Sequence, residues 1–224
     1  FTFIPYLLMV NLRKRKKKMT VLITGATGLV GQELVNLLLQ NGHNVHYLST
    51  SKSKLVSQNN YKGFFWNPKK SEIDTNALTG VEVIIHLAGA NVAKKWTTAY
   101  KEEIIESRVL STQLLYKTLQ KNSHQVKQII SASAVGIYPD SLTDIYHETD
   151  LDIDVSFLGN VVKQWENEVS QFEKLELIVS KIRIGIVLAK NGGALQEMAK
   201  PIKYGVGAAF GSGEQYQSWI HVQD

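Results

Sequence analysis

The feature that most constrains the fold of this chain is a glycine-rich segment placed directly after a short apolar run. Glycine stands at every third position of the segment, which reads Gly25, Ala26, Thr27, Gly28, Leu29, Val30 and Gly31. We expect the first glycine to form a tight turn, the second to let the backbone approach a pyrophosphate, and the third to let a following helix pack against a sheet. The first amides of that helix would then face the phosphates. The segment predicts a dinucleotide-binding loop, although an ordinary strand-to-helix turn remains the alternative.

Apolar runs alternate with helical patterns along most of the chain. The predicted strands are Thr20–Thr24, Asn44–Ser49, residues 82–87, residues 126–131 and a fifth within residues 176–188. The predicted helices are Leu29–Gln40, residues 97–121 and residues 157–173. This alternation is typical of the α/β class and predicts a Rossmann-type, doubly wound parallel sheet over residues 19–190. Residues 191–224 lose the pattern and are rich in glycine, which we interpret as the start of a small, incomplete C-terminal substrate-binding lobe.

The net charge of +5 comes from one local run. Residues 13–18 carry six of the 25 positive charges, which leaves 19 basic against 20 acidic residues, a net charge of −1. A near-neutral body predicts no nucleic-acid partner. We interpret residues 1–18 as a non-native or disordered basic tail, because their apolar stretch is too short to span a bilayer and precedes the basic run, unlike a signal peptide. We expect no membrane partner, with a tail on a membrane surface as the alternative.

Cysteine is absent from the chain, which excludes disulfides, zinc–thiolate sites and cysteine nucleophiles. The same absence mildly favours a cytoplasmic location. No grouping of His, Asp and Glu has the spacing of metal ligands, so we expect no metal site.

The segment after the second predicted strand indicates which nicotinamide cofactor is bound. An enzyme that prefers NAD has an acidic residue about twenty positions past the glycine loop, where it binds the ribose hydroxyls. Between Tyr47 and Gln58 there is no Asp or Glu, whereas Lys52 and Lys54 are present. Lysines attract a 2′-phosphate, and a carboxylate would repel it. We therefore expect NADP, with NAD left open, and assign Thr50 and Lys52 to the cofactor site.

Four motifs occur in order at plausible intervals, at residues 25–31 (GATGLVG), 86–90 (HLAGA), 131–136 (SASAVG) and 218–224 (SWIHVQD). Together they resemble the extended short-chain dehydrogenase/reductases. More narrowly, the chain resembles the atypical subgroup called the epimerase family, or NAD-dependent epimerase/dehydratase-like proteins, some of which are described as cell-division-inhibitor-like. The resemblance covers residues 19–224. It implies an NAD(P)-binding Rossmann domain and a further C-terminal portion, so we expect the chain to be a C-terminally truncated fragment.

The resemblance also implies roles for individual cofactor-binding residues. Leu87, Ala88 and Gly89 are implied to border the adenosine half of the cofactor. A glycine at the carboxyl end of a strand agrees with this role, because it lets the chain pass close to a ligand. Arg108, which stands where extended members often have an asparagine, and Ser131 are assigned to the cofactor site as well.

The catalytic residues implied by the resemblance are only partly present. Ser133 stands where the family keeps its catalytic serine, whose hydroxyl can bind a substrate carbonyl beside the nicotinamide. Short-chain dehydrogenases also use a Tyr-x-x-x-Lys pair, in which the lysine lowers the pKa of a tyrosine that acts as general acid or base. None of the nine tyrosines has a lysine four positions on, and Phe157 and Val161 stand where the pair belongs. We assign Tyr138 and Lys163 as candidate replacements, with a purely structural role for each as the alternative.

Two functions therefore remain open. The first is an NADP-dependent oxidoreductase or epimerase acting on a small polar molecule, such as a nucleotide sugar. The second is an NADP(H)-binding regulatory or sensor protein with little turnover, which the missing Tyr/Lys pair favours. Arg183, on the fifth predicted strand, faces either an anionic substrate or an ion-pair partner. The resemblance implies that subunits pair through the helices at residues 97–121 and 157–173, which leaves a homodimer open.

Overall fold

The computed structural model describes residues 18–190, 192–209 and 211–224, so the predicted tail lies outside it except for Lys18. The strands of the main sheet are β1 (Thr20–Thr24), β2 (Asn44–Ser49), β3 (Ser57–Gln58), β4 (Tyr61–Asn67), β5 (Glu72–Ile73), β6 (Val81–His86), β7 (Gln128–Ala134) and β8 (Ile178–Ile184). A second sheet contains β9 (Ile186–Ala189), β10 (Gly192–Gly193) and β11 (Trp219–His221). The α-helices are α1 (Leu29–Gln40), α2 (Thr98–Lys121), α3 (Phe157–Ser170) and α4 (Ala194–Lys203).

The strand order of the main sheet is β3–β4–β2–β1–β6–β7–β8, with β5 paired to β4. Strands β1, β2, β4, β6, β7 and β8 run parallel, whereas β3 and β5 are short antiparallel additions. From β1 the chain builds outward through β2 and β4, and it then returns to place β6 on the other side of β1. The prediction of an α/β, Rossmann-type sheet is therefore confirmed. In such sheets ligands bind outside the carboxyl ends of the strands, at the point where the strand order reverses.

Helices cover both faces of the sheet, because the side chains of each strand alternate between the two faces. On β1, Val21 and Ile23 pack with Val35 and Leu38 of α1, whereas Leu22 packs on the opposite face. That opposite face is covered by leucines of α2, and α3 packs beside α2. Each fully buried aliphatic side chain contributes about 1.5–3 kcal/mol, so the alternation fixes which face each helix covers. Within the described part of the chain, no helix combines the length and the apolar character needed to cross a membrane.

Strand β4 was not predicted from the sequence, although it lies inside the parallel sheet beside β2. Its sequence, YKGFFWN, lacks a regular apolar–polar alternation and contains a glycine, which weakens a strand pattern. A Cβ atom at Gly63 would lie 2.5 Å from the ring Cζ of Tyr47 on β2. The buried Tyr47 hydroxyl donates a hydrogen bond to Lys54 O and accepts one from Val56 N, each at 2.7 Å. Gly63 thus makes room for a tyrosine that ties the segment after β2 to the sheet.

The second sheet begins where the chain leaves the main sheet at Gly185, so the segment predicted to hold the fifth strand carries two strands. Strand β9 pairs in parallel with β11 and antiparallel with β10. A Cβ atom at Gly193, directly before α4, would lie 2.9 Å from Leu29 Cδ2. The second sheet therefore reaches the first turn of α1.

We expect Gly63→Ala to destabilise the protein, because the added methyl group meets the buried ring of Tyr47. Overpacking of this kind costs about 1–3 kcal/mol, which a lower midpoint of urea unfolding would report. Gly136→Ala is the matched control, since a Cβ atom at Gly136 meets no atom within 4 Å. If both variants unfolded at the wild-type midpoint, the space beside Tyr47 would not be required.

Candidate cofactor and active site

The glycine loop joins β1 to α1 in a conformation that leaves backbone amides open. Gly25 has a φ of 72°, in the left-handed region that favours glycine. Gly28 is the N-cap of α1, where its N–H donates to Gly25 O at 2.9 Å and no side chain caps the helix. Gly28 and Thr27 are exposed, and the first turn of α1 carries no acidic residue. The amides of Leu29 and Val30 therefore have no acceptor within the helix.

Backbone atoms fill the space beside two of the loop glycines. A Cβ atom at Gly25 would lie 2.9 Å from the carbonyl carbon of Leu87, in the turn after β6. A Cβ atom at Gly31 would overlap the carbonyl oxygen of Gly25 and lie 2.8 Å from the Cα of the buried Ala26. The sequence spacing predicted that Gly31 serves packing of the helix on the sheet. Its nearest neighbours are atoms of the loop itself, because the loop folds back over the first turn of α1.

A buried chain of hydrogen bonds links the ends of β1 and β6 to α2. The Thr24 hydroxyl oxygen accepts hydrogen bonds from the N–H groups of Leu87 and Ala88, both at 3.0 Å. Because both lone pairs are occupied, this hydroxyl donates to Nδ1 of His86, at 2.7 Å. The proton of the neutral imidazole must then lie on Nε2, which donates to Thr112 Oγ1 at 3.0 Å. The surrounding hydroxyls thus determine the tautomer of His86.

Arg108, on α2, lies against the turn after β6. A Cβ atom at Gly89 would lie 2.9 Å from Arg108 Cζ, so the absent side chain leaves room for the guanidinium. The guanidinium donates to Ala90 O at 3.2 and 3.3 Å and to Ile104 O at 3.0 Å. Its Cζ lies 5.2 Å from the centre of the Trp165 ring, and burial lowers the pKa of Arg108. Two residues assigned to the cofactor site, Gly89 and Arg108, are therefore in contact.

The residues expected to favour NADP follow the end of β2. Thr50 and Lys52 are exposed, and the Lys52 ammonium lies 5.1 Å from the centre of the Phe65 ring on β4. In the sheet order, β1 separates this end of β2 from the turn after β6. The turn at residues 87–89, which the resemblance places beside the adenosine half, thus lies across β1 from Lys52.

The serine predicted to be catalytic belongs to a buried ionic cluster. Ser133 is 4% exposed, and its hydroxyl donates to Oε1 of Glu166 on α3 at 2.5 Å. Arg183 of β8 donates to both carboxylate oxygens of Glu166, each at 2.9 Å, so Arg183 has an ion-pair partner within the protein. Burial raises the pKa of Glu166, but the hydrogen bonds from Arg183 and Ser133 outweigh it and hold the pKa below its usual range. Ser131 is fully buried, and its hydroxyl donates to Ala132 O at 2.9 Å.

The two candidate proton donors line one cavity with this cluster. Arg183 donates a hydrogen bond to the Tyr138 hydroxyl at 2.6 Å, and that hydroxyl donates a hydrogen bond to His147 O at 3.0 Å. The exposed Lys163 lines the same cavity, together with Glu166 and part of the loop at residues 148–153. The structure therefore gathers the three predicted catalytic residues around the Glu166–Arg183 pair.

Glu166 is the central residue of the cluster, and it was not among the site residues predicted from the sequence. Its partners Ser133, Lys181 and Arg183 stand on β7 and β8, 15 or more positions away along the chain, so no local motif identifies them. The sequence signals were the Trp165-Glu166 pair in the predicted helix at residues 157–173, which resembles the family, and an arginine on the following strand. Within the described residues, no group of three or more His, Asp or Glu side chains could hold a metal ion.

Phe157 and Val161 occupy the place of the Tyr-x-x-x-Lys pair at the start of α3. The Phe157 ring centre lies 5.3 Å from that of Trp96 and 5.1 Å from the Lys101 ammonium. Val161 is buried between the helix and its neighbours. Neither side chain can carry a proton, so these two positions supply no acid or base.

Known proteins resemble this chain in sequence and in fold. Residues 21–156 match the NAD dependent epimerase/dehydratase family. An epimerase family protein of Staphylococcus aureus is 38% identical over 207 residues, which cover 91% of this chain and 67% of that protein. The nucleoside-diphosphate sugar epimerase from Corynebacterium glutamicum has a TM-score of 0.78 and 30% identity, over 97% of this chain and 44% of its own length. The human epimerase family protein SDR39U1, solved with NADPH, has a TM-score of 0.73 and 29% identity, over 92% of this chain and 67% of its own.

We expect His86 to make the protein sensitive to acid. Burial, and then the positive charge of Arg108, lower the pKa of His86 to about 3, whereas an unfolded histidine titrates near 6.5. The unfolded state binds more protons between these values, so the free energy of unfolding falls as the pH decreases from about 6.5 towards 3. The slope is at most about 1.4 kcal/mol per pH unit. Urea unfolding of His86→Gln at decreasing pH should show a shallower fall than wild type, and the exposed His221→Gln should not. Equal slopes in all three proteins would contradict this role.

Removing one partner of the buried ion pair should cost more than removing both. Arg183→Met leaves the buried Glu166 carboxylate with only the Ser133 hydrogen bond and the longer contact to Lys181, which we expect to cost about 3–5 kcal/mol of unfolding free energy. The double variant Arg183→Met, Glu166→Gln should recover most of that loss in the same denaturation experiment. Lys181→Met is the control, because its ammonium lies 3.8 Å from Glu166 and is partly exposed. A loss no larger in Arg183→Met than in Lys181→Met would refute the neutralising role of Arg183.

Proposed function

Because the chain belongs to the NAD-dependent epimerase/dehydratase family, we propose that it holds NADP(H) at the crevice between β1 and β6 and acts there on a small polar substrate. The observation that carries this proposal is the uncapped start of α1, which lies beside the turn after β6 where the strand order reverses. Backbone amides at such a helix start are suited to bind a pyrophosphate.

The residues at the crevice fit a dinucleotide. Gly25 and Gly28 carry no side chain that would cover the amides of Leu29 and Val30. A Cβ atom at Gly28 would meet only Gly25 O, at 3.2 Å, so the outer side of the loop is open. An acidic residue in the first turn of α1 would repel phosphates, and none is present.

The proposed preference for NADP is argued from the residues that follow the end of β2. Lys52 presents an exposed ammonium, and no carboxylate of residues 47–58 would compete with a 2′-phosphate. The side-chain hydroxyl of Thr50 offers a further hydrogen-bond donor in the same turn. The human relative that was solved with NADPH supports the same choice.

We further propose that the substrate oxygen is handled by the cluster around Glu166. The bound nicotinamide would supply the hydride acceptor or donor. Because the Ser133 hydroxyl donates to Glu166, its oxygen can only accept a hydrogen bond from a substrate hydroxyl. Tyr138 and Lys163, on the cavity beside the cluster, are the groups that would hold or move the proton.

A second function, an NADP(H)-binding regulatory or sensor protein, is favoured by the same hydrogen bonds. The Ser133 hydroxyl is 4% exposed and already bonded to Glu166, and the Tyr138 hydroxyl already bonds Arg183 and His147. Ser133 is therefore nearly inaccessible and can only accept a hydrogen bond, and Tyr138 must release His147 O before its hydroxyl can donate to a substrate. Turnover therefore decides between the two functions.

Cofactor binding is expected to depend on Lys52. Isothermal titration should show that the protein binds NADPH more tightly than NADH, and that Lys52→Met weakens NADPH binding about tenfold while NADH binding is unchanged. Lys62→Met, an exposed lysine of the neighbouring strand, is the control. Tighter binding of NADH would overturn the choice of cofactor, and binding of neither would overturn the proposed function.

The enzyme and the sensor are separated by measuring NADPH oxidation and NADP reduction with panels of carbonyl compounds and nucleotide sugars. For the enzyme we expect turnover that falls in Ser133→Ala and in Tyr138→Phe. Binding of NADPH without turnover of any substrate would instead support the sensor.

A further inference from the structure

Trp96 is an exposed aromatic residue on the loop that joins β6 to α2. Its side chain is 40% exposed, although the indole Nε1 already donates a hydrogen bond to Val92 O at 2.8 Å. The ring centre of Phe157 lies 5.3 Å from that of Trp96, with the two planes inclined at 61°. Because the indole N–H has a partner within the loop, Trp96 offers a ligand an apolar ring surface suited to stacking.

Hydrogen bonds to α2 hold the loop that carries Trp96. The N–H of Ala90 donates to Ser107 Oγ at 2.9 Å, and the Tyr100 hydroxyl donates to Asn91 O at 2.5 Å. Ser107 and Tyr100 both belong to α2, so the start of the loop is anchored to that helix. An aromatic side chain that is held in place before a ligand arrives loses little entropy when the ligand binds.

The same stretch of chain concentrates positive charge. Residues 91–101 contain Lys94, Lys95 and Lys101 and no Asp or Glu, whereas the chain after the tail is close to neutral. All three lysines are exposed, and in the part of the chain that the structure describes no carboxylate lies within ion-pair distance of them. The Lys94 ammonium lies over the Tyr100 ring, 5.5 Å from its centre. These charges are therefore available to an anionic ligand.

Phe157 brings the ring of Trp96 and the charge of Lys101 together. The Lys101 ammonium lies 5.1 Å from the centre of the Phe157 ring, which Trp96 also contacts. On α2 the neighbours of Lys101 one turn further along are Ile104 and Ile105, so the helix supplies no carboxylate for its charge. Phe157 stands where the tyrosine of the Tyr-x-x-x-Lys pair belongs. An aromatic surface and a cation thus meet at the position of the missing acid–base group.

We infer that Trp96 and Lys101, held together by Phe157, bind a substrate that combines a ring with a phosphate group. The ring stacks on Trp96, and the phosphate accepts hydrogen bonds from Lys101, with Lys94 and Lys95 adding positive charge. Lysine is a common partner of phosphate, and aromatic side chains stack on the flat faces of rings such as nucleobases. This inference rests on the proposed function and narrows its small polar substrate to one class. A nucleotide and a sugar phosphate share this chemistry.

The test compares phosphorylated ring compounds with their unphosphorylated counterparts by titration calorimetry, with and without bound NADPH. UMP is paired with uridine, and glucose 6-phosphate with glucose. The phosphorylated member of at least one pair should bind about tenfold more tightly than its counterpart, and Lys101→Met should remove most of that difference. Trp96→Ala should weaken binding of that phosphorylated compound about tenfold. Binding of UMP alone identifies a nucleotide, and binding of glucose 6-phosphate alone identifies a sugar phosphate.

Matched variants control for general effects of each substitution. Lys117→Met removes another exposed lysine from α2, and Trp219→Ala removes an exposed tryptophan from β11, so neither should change the affinities. If Trp96→Ala does not fold, Trp96→Phe keeps an aromatic ring. It should retain most of the affinity and lose the change in tryptophan fluorescence that the ligand causes in the wild-type protein.

Two results would overturn the inference. One is binding of neither phosphorylated compound by a wild-type protein that binds NADPH. The other is binding that Trp96→Ala and Lys101→Met weaken no more than the control variants do. Failure of the proposed function would look different, since the wild-type protein would then not bind NADPH.

Discussion

Direct backbone contact between the turn after β1 and the turn after β6 is the constraint on which the crevice depends. At Gly25 even a methyl group would collide with Leu87, so the approach exists only because the side chain is absent. The Thr24 hydroxyl then accepts hydrogen bonds from two amides of the second turn and donates one to His86. Close approach alone would leave buried amides unpaired. The hydroxyl–imidazole chain supplies their partners and anchors both turns to α2.

The two arginines beside α3 show how the fold treats buried charge. Arg183 meets a buried carboxylate, and the charge of each side chain is cancelled by the other. Arg108 meets carbonyl dipoles and an aromatic face, which stabilise a cation less completely. An ion pair such as Glu166–Arg183 holds elements together. A cation without a carboxylate partner among the described residues, such as Arg108, is suited to bind a ligand.

Features written in local sequence could be predicted, and features that depend on distant partners could not. The predicted bounds of β1, α1 and β2 match the structure residue for residue, because each depends on a short apolar pattern ended by glycine or polar residues. Strand β4 was not predicted, because a glycine within a strand is explained only by the Tyr47 ring that packs against Gly63 in the folded sheet. The glycine loop was found from its spacing, and the hydrogen bonds of Ser133 were not, because Glu166 and Arg183 stand on other elements. Likewise, the sequence left open whether Arg183 has an internal partner, and only the folded structure places Glu166 beside it.

The bond between Thr24 and His86 has a consequence for the order of folding. These residues are 62 positions apart, and β2 and β4 are formed by the chain between them. Closing so long a loop costs entropy before any contact repays it, so pairing of β1 with β6 belongs to the later, non-local steps of assembly. The local unit of β1, α1 and β2 can form earlier, before the turn after β6 is in place beside the glycine loop. We therefore expect a dinucleotide to bind only after the centre of the sheet has closed, and to stabilise the folded protein without taking part in the first steps of folding.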